Sequence, residues 1–321
     1  MKRFKNILVA CDDEQIDETL LRRAIWPAKG NDAEVTLAYV LDSPPGEISQ
    51  LFERFQSMKS GDVEADLLGF HENRLTEYSE TIRSAGVPAQ IAVNQGIPFV
   101  ELIRMVLRHD YDMVIKSAAG ELETKSLFFS STDLHRMRKC PCPVWIMKGH
   151  EKEKYERIMA AVDPGPDDQQ YTTLNTLILD LSSSLSNMDG GELSVVNAWR
   201  LENETAFRNS AFARIPKERL EELIQEAQAE SESRFRRLTN GYSFPAANYA
   251  PHHIKGAPRE AIPKFAREHA VDLIVMGTLG RTGVRGLIIG NTAEAILNQV
   301  SCSVIAVKPP GFETTVTLNG G

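Results

Sequence analysis

Short apolar runs rich in β-branched residues alternate along this chain with longer stretches whose apolar positions recur at helical spacing. The runs lie near 5–11, 33–41, 88–94, 112–117 and 143–148, and again near 156–162, 191–199, 247–254, 272–276 and 302–308. Runs so continuously apolar suit strands buried on both faces, and the amphipathic stretches between them supply the covering helices. The pattern therefore predicts parallel sheets with helices on both faces. In the second half, helices are expected over about 168–186, 216–240, 258–269 and 291–300. Pro98 and Pro258 fall where a first helical turn tolerates proline, since an N–H there has no intrahelical partner. The stretch Glu218 to Arg237 mixes both charge signs at helical spacing and reads as a solvated helix face.

The elements repeat because the sequence does. KNILVACD (5–12) superposes on ERIMAAVD (156–163) at an offset of 151, and both end in aspartate. DMVIKSAAGELETKSLFFSST (112–132) lies over DLIVMGTLGRTGVRGLIIGNT (272–292) without a gap, at an offset of 160. KCPCPVWIMK (139–148) lies over QVSCSVIAVK (299–308) at that same offset, as does the segment from Gly96 over the one from Gly256. The nine-residue difference between the two offsets must be absorbed between the first strand and this later region. Two copies of one domain explain the 321 residues better than a solenoid: 1–150, and 151–321 with a short tail.

With 42% hydrophobic and 25% charged residues, and no apolar run approaching the roughly 18 residues of a membrane span, composition points to ordinary globular folding. Net charge is −8, with 18 Lys plus Arg against 22 Asp plus Glu in each half. An even, mildly acidic chain lacks the basic footprint for nucleic acid and any polybasic segment for a lipid surface. Four cysteines make no disulfide scaffold, and Cys11 and Cys302, in apolar strand-like runs, are expected to be buried reduced thiols. The basic start, MKRFKNILVACDDE, meets an acidic cluster after one brief apolar run, too short for a signal peptide. A cytoplasmic protein is expected.

In an open parallel sheet the ligand crevice lies beyond the carboxyl ends of the strands, where strand order reverses. The loop after the fourth strand of the second copy carries Gly277, Gly280 and Gly290 in a G-x-x-G-x9-G arrangement, with Gly283 and Gly286 between them. Glycines at this spacing let backbone N–H groups approach an anion unobstructed, and a helix opening near Asn291 turns its positive end toward the same place. That combination suits phosphate, with Arg281 and Arg285 adding charge. The competing interpretation is structural: glycines shaping a strand-to-helix connection, and Asn291 with Glu294 forming a capping box. Cys140 and Cys142, flanked by His135 and His150, offer zinc-capable side chains, but the repeat makes them straddle a helix end and a strand start. His252 and His253 are adjacent on a strand and so face opposite sides. No Walker-type loop, kinase signature or G-x-S-x-G elbow is present.

The doubled first strand ending in aspartate, and the last third reading DLIVMGTLGRTGVRGLIIGNTAEAIL with CSVIAVK, resemble the universal stress protein family in its tandem two-domain form. The resemblance covers almost the whole chain and is weakest over 42–87 and 201–246. It implies two flavodoxin-like (Rossmann-like) α/β domains, each with a five-stranded parallel sheet. It also implies a site for an adenine nucleotide, ATP with Mg2+, with Asp163 beside the ribose and Ala198 facing adenine. Gly277, Gly280, Gly290, Asn291 and Thr292 would surround the phosphates. Asn291 stands where the family usually has serine or threonine, which removes one hydroxyl donor. In the first copy Ser117, Gly120 and Ser130 stand opposite the signature glycines, and Glu121 and Glu123 would repel a polyphosphate. That copy keeps Asp12 but reads as a degenerate site. The expectation is a stress-response protein that binds nucleotide without acting as an enzyme, with its copies packed as an internal pseudo-dimer and a homodimer as an option. The alternatives are a ligand-free scaffold or small-molecule carrier, and a slow ATPase.

Overall fold

A computed structural model of the protein describes residues 4–11, 18–42, 60–118, 138–148, 154–165, 169–209, 216–244, 248–278, 290–309 and 311–318. These divide into two compact units, one of residues 4–148 with 313–318, the other of residues 154–309 with 311–312.

The first unit runs β1 (Asn6–Ala10), α1 (Glu18–Asn31), β2 (Glu34–Leu41), α2 (Ser60–Ser84), β3 (Ala89–Gln95), α3 (Pro98–His109), β4 (Met113–Ser117) and β5 (Val144–Met147). Its strands are parallel, in the order β3-β2-β1-β4-β5. The second runs β6 (Arg157–Ala161), α4 (Gln169–Asp189), β7 (Glu192–Trp199), α5 (Glu204–Asn209), α6 (Lys217–Gly241), β8 (Tyr249–Lys255), α7 (Pro258–Glu268), β9 (Leu273–Gly277), α8 (Asn291–Leu297) and β10 (Ser303–Val307). Its parallel order is β8-β7-β6-β9-β10. Each unit is thus an α/β five-stranded sheet in the Rossmann order 3-2-1-4-5, whose direction reverses between the first and fourth strands. The central strands bury nearly every residue, as their unbroken apolar runs require.

The repeat reaches individual hydrogen bonds. Asp112, just before β4, accepts the N–H of Lys5 (2.6 Å) and of Asn6 (3.2 Å), while Asp272, just before β9, accepts those of Glu156 (2.9 Å) and Arg157 (3.0 Å). Gly96 and Gly256 close β3 and β8 with φ of 142° and 150°, a region closed to most side chains. Their N–H groups donate to Leu41 O (3.0 Å) and Trp199 O (2.8 Å). Pro98 and Pro258 open their helices as expected.

The copies part in the first helix. Leu20, Leu21, Ala24 and Ala28 of α1 repeat the buried stripe Ile178, Leu179, Ser182 and Ser186 of α4. The 14-residue α1 therefore corresponds to the C-terminal part of the 21-residue α4, whose first two turns are additional. They account for seven of the nine residues by which the repeat offset grows.

Three details differ from expectation. The last helix of the second copy ends at Leu297, not near residue 300. The short α5 was not foreseen; it packs Phe207 against the small core of Trp199, Leu220 and Ile224. Cys302 precedes β10 and is only partly buried, whereas Cys11 is buried; Cys140 and Cys142 are both buried ahead of β5. His135 and His150 lie outside the described residues.

Candidate functional site

The strand order of the second unit puts its crevice beyond the carboxyl ends of β6 and β9, and a cavity of about 520 Å³ opens there. Asp163 follows β6, Ala198 lies near the end of β7, Gly277 ends β9, and Gly290, Asn291 and Thr292 open α8. All six line this one cavity. Gly280 and Arg281, also expected at the site, lie outside the described residues, as do Arg285 and, in the first copy, Asp12, Gly120, Glu121, Glu123 and Ser130. Ser117 ends β4, at the position Gly277 holds on β9.

The extra turns of α4 build one wall. Asn175 accepts the N–H of Asp163 at 3.0 Å and donates to the carbonyl of Asp163 at 2.8 Å, so one amide clamps the backbone where the chain leaves β6. One residue earlier, Leu174 packs over Gly277, where an added Cβ would come within 2.9 Å of Leu174 Cδ2. Gly277 thus has a packing reason to be bare, in addition to any ligand. Across the glycine segment, the N–H of Gly290 donates to Thr278 O at 2.9 Å, and that of Thr278 to Val307 O at 3.1 Å. Buried Lys308 donates to Thr278 Oγ1 from beneath. The capping box does not form: Gly290 is the cap residue, without a side-chain cap hydrogen bond, and Asn291 and Thr292 are exposed in the first turn of α8.

The opposite wall was missed in the sequence. Buried Asn197 on β7 donates to Val162 O (3.2 Å) and accepts from Ser231 Oγ of α6 (3.4 Å), and Ser231 Oγ contacts His253 Nε2 of β8 (3.0 Å). The His253 ring stacks between Trp199 and Phe235, at centroid distances of 5.7 and 5.9 Å. Burial holds its pKa below the usual imidazole value; Arg236 acts in the same direction and Glu232 against it. His252 faces the other side of the sheet, against Phe265 and His269, so the expectation that the adjacent histidines point apart holds. Ser231 and Arg234 lie inside the stretch read as a solvated face. Most of that face is indeed laced with exposed ion pairs such as Arg219–Glu222 and Arg236–Glu232.

The model of the universal stress protein family matches residues 3–148 and again 154–308. The chain belongs to the universal stress protein family. It is similar over nearly its full length to Universal stress protein E of Escherichia coli (strain K12), at 25% identity over 99% of this chain and 98% of that relative. The corresponding protein of Photorhabdus laumondii is 26% identical over 98% of each. Among solved structures, a functionally unknown protein from Pseudomonas aeruginosa PAO1 superposes with a TM-score of 0.70 at 21% identity, covering 96% of this chain and 94% of that one. A universal stress protein from Archaeoglobus fulgidus gives 0.64 at 18%, covering 94% and 98%. At such identities the structural likeness carries the fold.

In this universal stress protein the cavity wall bears charges of both signs. Arg234 pairs with Glu230 at 2.5 Å, and Asp163, Arg200 and Glu202 stand at the lining as well. The described walls therefore offer no net cationic surplus, and an anion held here depends on backbone N–H groups more than on side-chain charge. No group of three or more His, Cys, Asp or Glu able to hold a metal ion occurs among the described residues. A Mg2+ would enter with its own waters and phosphate oxygens as ligands. No described helix is long and apolar enough to cross a membrane.

Proposed function

We propose that this protein is a cytosolic stress-response protein whose second copy binds one adenine nucleotide, ATP carrying Mg2+ on its phosphates, and acts by binding rather than turnover. The first copy, up to about residue 150, is the one that does not bind. The observation that carries this reading is the 520 Å³ cavity at the switch point of the second sheet, lined by Asp163, Ala198, Gly277, Gly290, Asn291 and Thr292. Its volume lies in the range of sites that enclose a small organic ligand. The arrangement supports a division of labour: β6 and β7 hold the nucleoside end, and the amides around Gly290 take the phosphates. Asn175 fixes the approach of Asp163, and Lys308 and Thr278 hold the base of the glycine segment.

Mass spectrometry of ligand released from purified protein, with calorimetric titration of ATP, tests the reading. The expected result is adenine nucleotide in the released fraction and one ATP bound per chain, with negligible consumption over hours. Absence of both the ligand and any ATP binding would overturn it. Sustained hydrolysis abolished by Gly280→Val would instead make the protein an ATPase.

A further inference from the structure

The neck of the glycine segment is held from below. Thr278 and Gly290 stand at its two ends, joined by the bond from the Gly290 N–H to Thr278 O, and buried Lys308 donates to Thr278 Oγ1. The Lys308 ammonium in turn lies 5.2 Å from the centre of the Phe312 ring, within cation–π range. In the first copy Ala118 and Lys148 stand at the places of Thr278 and Lys308, so the bond from lysine to hydroxyl has no counterpart there. The arrangement is peculiar to the second copy.

A turn brings Phe312 over Lys308. Gly311 adopts a left-handed φ of 77°, and the N–H of Phe312 donates to Pro309 O at 3.2 Å, which folds the chain back just after β10. From there Phe312, Thr314 and Val316 are half-buried, whereas Glu313, Thr315 and Thr317 are exposed, the period-two pattern of an extended segment laid on a surface. Residues 313–318 belong to the first unit, where Arg104 and Arg108, one turn apart on α3, donate to Thr317 O (3.0 Å) and Leu318 O (3.3 Å).

We propose that residues 312–318 are a strap that sets the affinity of the second copy for the phosphate end of its ligand, with Phe312 as the positioning residue. This inference rests on the nucleotide reading above. With the strap docked, Phe312 fixes Lys308, Lys308 fixes Thr278, and the ends of the glycine segment are ordered before a ligand arrives. With it undocked, that ordering is taken from the binding free energy. Coupling between binding events is reciprocal, so a ligand that needs the ordered neck also holds the strap down. The nucleoside end, at β6 and β7, has no such dependence.

Calorimetric titration of the full-length chain with ATP and with adenosine, which lacks the phosphates, separates this role from a general loss of folding. Phe312→Ala should lower ATP affinity about five- to thirtyfold and leave adenosine affinity within about twofold. Phe312→Tyr, which keeps the ring, should retain the wild-type ratio of the two affinities. Arg104→Ala with Arg108→Ala, which frees the far end of the strap, should shift the ratio in the same direction by less. In hydrogen exchange, ATP should slow the amides of residues 312–318 and adenosine should not. If the wild type binds ATP but the ratio is unchanged in Phe312→Ala or in the arginine pair, or exchange in the strap ignores ATP, the strap is wrong while the nucleotide reading stands. If the wild type binds neither ligand, both fall together.

Discussion

Tyr39 and Asn197 occupy the same place in their two sheets: Tyr39 pairs with Val93 across β2 and β3, and Asn197 with His253 across β7 and β8. Each meets the middle of the following 25-residue helix. In the first unit Arg74 lies over the Tyr39 ring at 5.5 Å, and His71 stacks on the ring's face at 3.6 Å. In the second, the contact made by Arg74 is made by Ser231, and the partner ring is replaced by an amide. The backbone scaffold is shared, but one copy fills this wall with a cation–aromatic stack while the other lines an open cavity with small polar groups. Duplication kept the sheet and its register, and the two walls differ in the side-chain volume at two facing positions.

Affinity for nucleotide offers the largest effects by which to break this contrast. Gly290→Val should abolish ATP binding measured by calorimetry, because it places a branched side chain at the cap of α8 where the anion needs bare amides. Losing several charge-assisted contacts of about 1.5–3 kcal/mol each lowers affinity by orders of magnitude. Ser130→Val, at the matching position of the first copy, should leave binding unchanged. Two equivalent sites per chain, or binding that survives Gly290→Val, would show the cradle to be in the other half.

A sharper version transplants the wall. Asn197→Tyr with Ser231→Arg gives the second copy the side chains of the first, and should lower ATP affinity about a hundredfold or more by occupying space the ligand needs. Stability should fall as well, because Asn197 is buried and gives up its hydrogen bonds to Val162 O and Ser231, so the affinity is measured at a temperature where the variant is shown to be folded. Unchanged affinity would mean that this wall does not face the nucleotide.

How far this difference could be read from sequence depends on what each signal rests on. Strand positions came from unbroken apolar runs and hold to within a residue or two, because burial on both faces leaves little freedom in composition. Gly277 was legible because the close approach of Leu174 leaves no room for a Cβ there, and Asp163 and Gly290 because the chain leaving β6 and the one entering α8 must border the crevice at the switch point. The wall on α6 was hidden by its charged surroundings. Yet the stripe Leu220, Ile224, Ala227, Ser231, Phe235 recedes in its middle, whereas the first copy reads Val63, Leu67, Phe70, Arg74, Tyr78 with no such recess. Small residues inside an otherwise bulky stripe were the available signal. The two added turns of α4 were visible only as a shift of repeat offset, because length alone does not say which element grew.

Those turns give the next effect in size. Asn175→Ala removes both hydrogen bonds that hold the Asp163 backbone, and should destabilise the protein by about 1–3 kcal/mol in denaturant unfolding while weakening ATP binding. If stability falls and affinity does not, the clamp serves the fold alone. A smaller effect is expected at matching turns after α3 and α7, where Asp110 and Ala270 adopt left-handed φ of 51° and 46°. Aspartate tolerates this region better than alanine does. Ala270→Gly should therefore stabilise by up to about 1 kcal/mol, and Asp110→Gly by less.

The smallest effect separates the copies by pH. His252 on β8 lies against Phe265 (4.8 Å) and 5.9 Å from His269, which itself stacks on Phe265 at 3.8 Å. At the matching place in the first copy β3 carries Ala92, so no second imidazole faces His109 from that position. Burial, with a smaller contribution from neighbouring His269, lowers the His252 pKa below its usual value. As pH falls, the unfolded chain takes up this proton before the folded one does, so unfolding is favoured by acid. The stability is fully present above the ordinary histidine pKa of about 6.5 and is lost as pH falls through the lower folded value. Because the ring is only partly buried, the slope should be shallow. His252→Ala, which installs the residue of the first copy, should flatten it, so that the loss of stability between pH 7.5 and 5 in urea titrations is smaller than in the wild type. An equal loss in both proteins would place the acid sensitivity elsewhere in the chain and remove this difference between the copies.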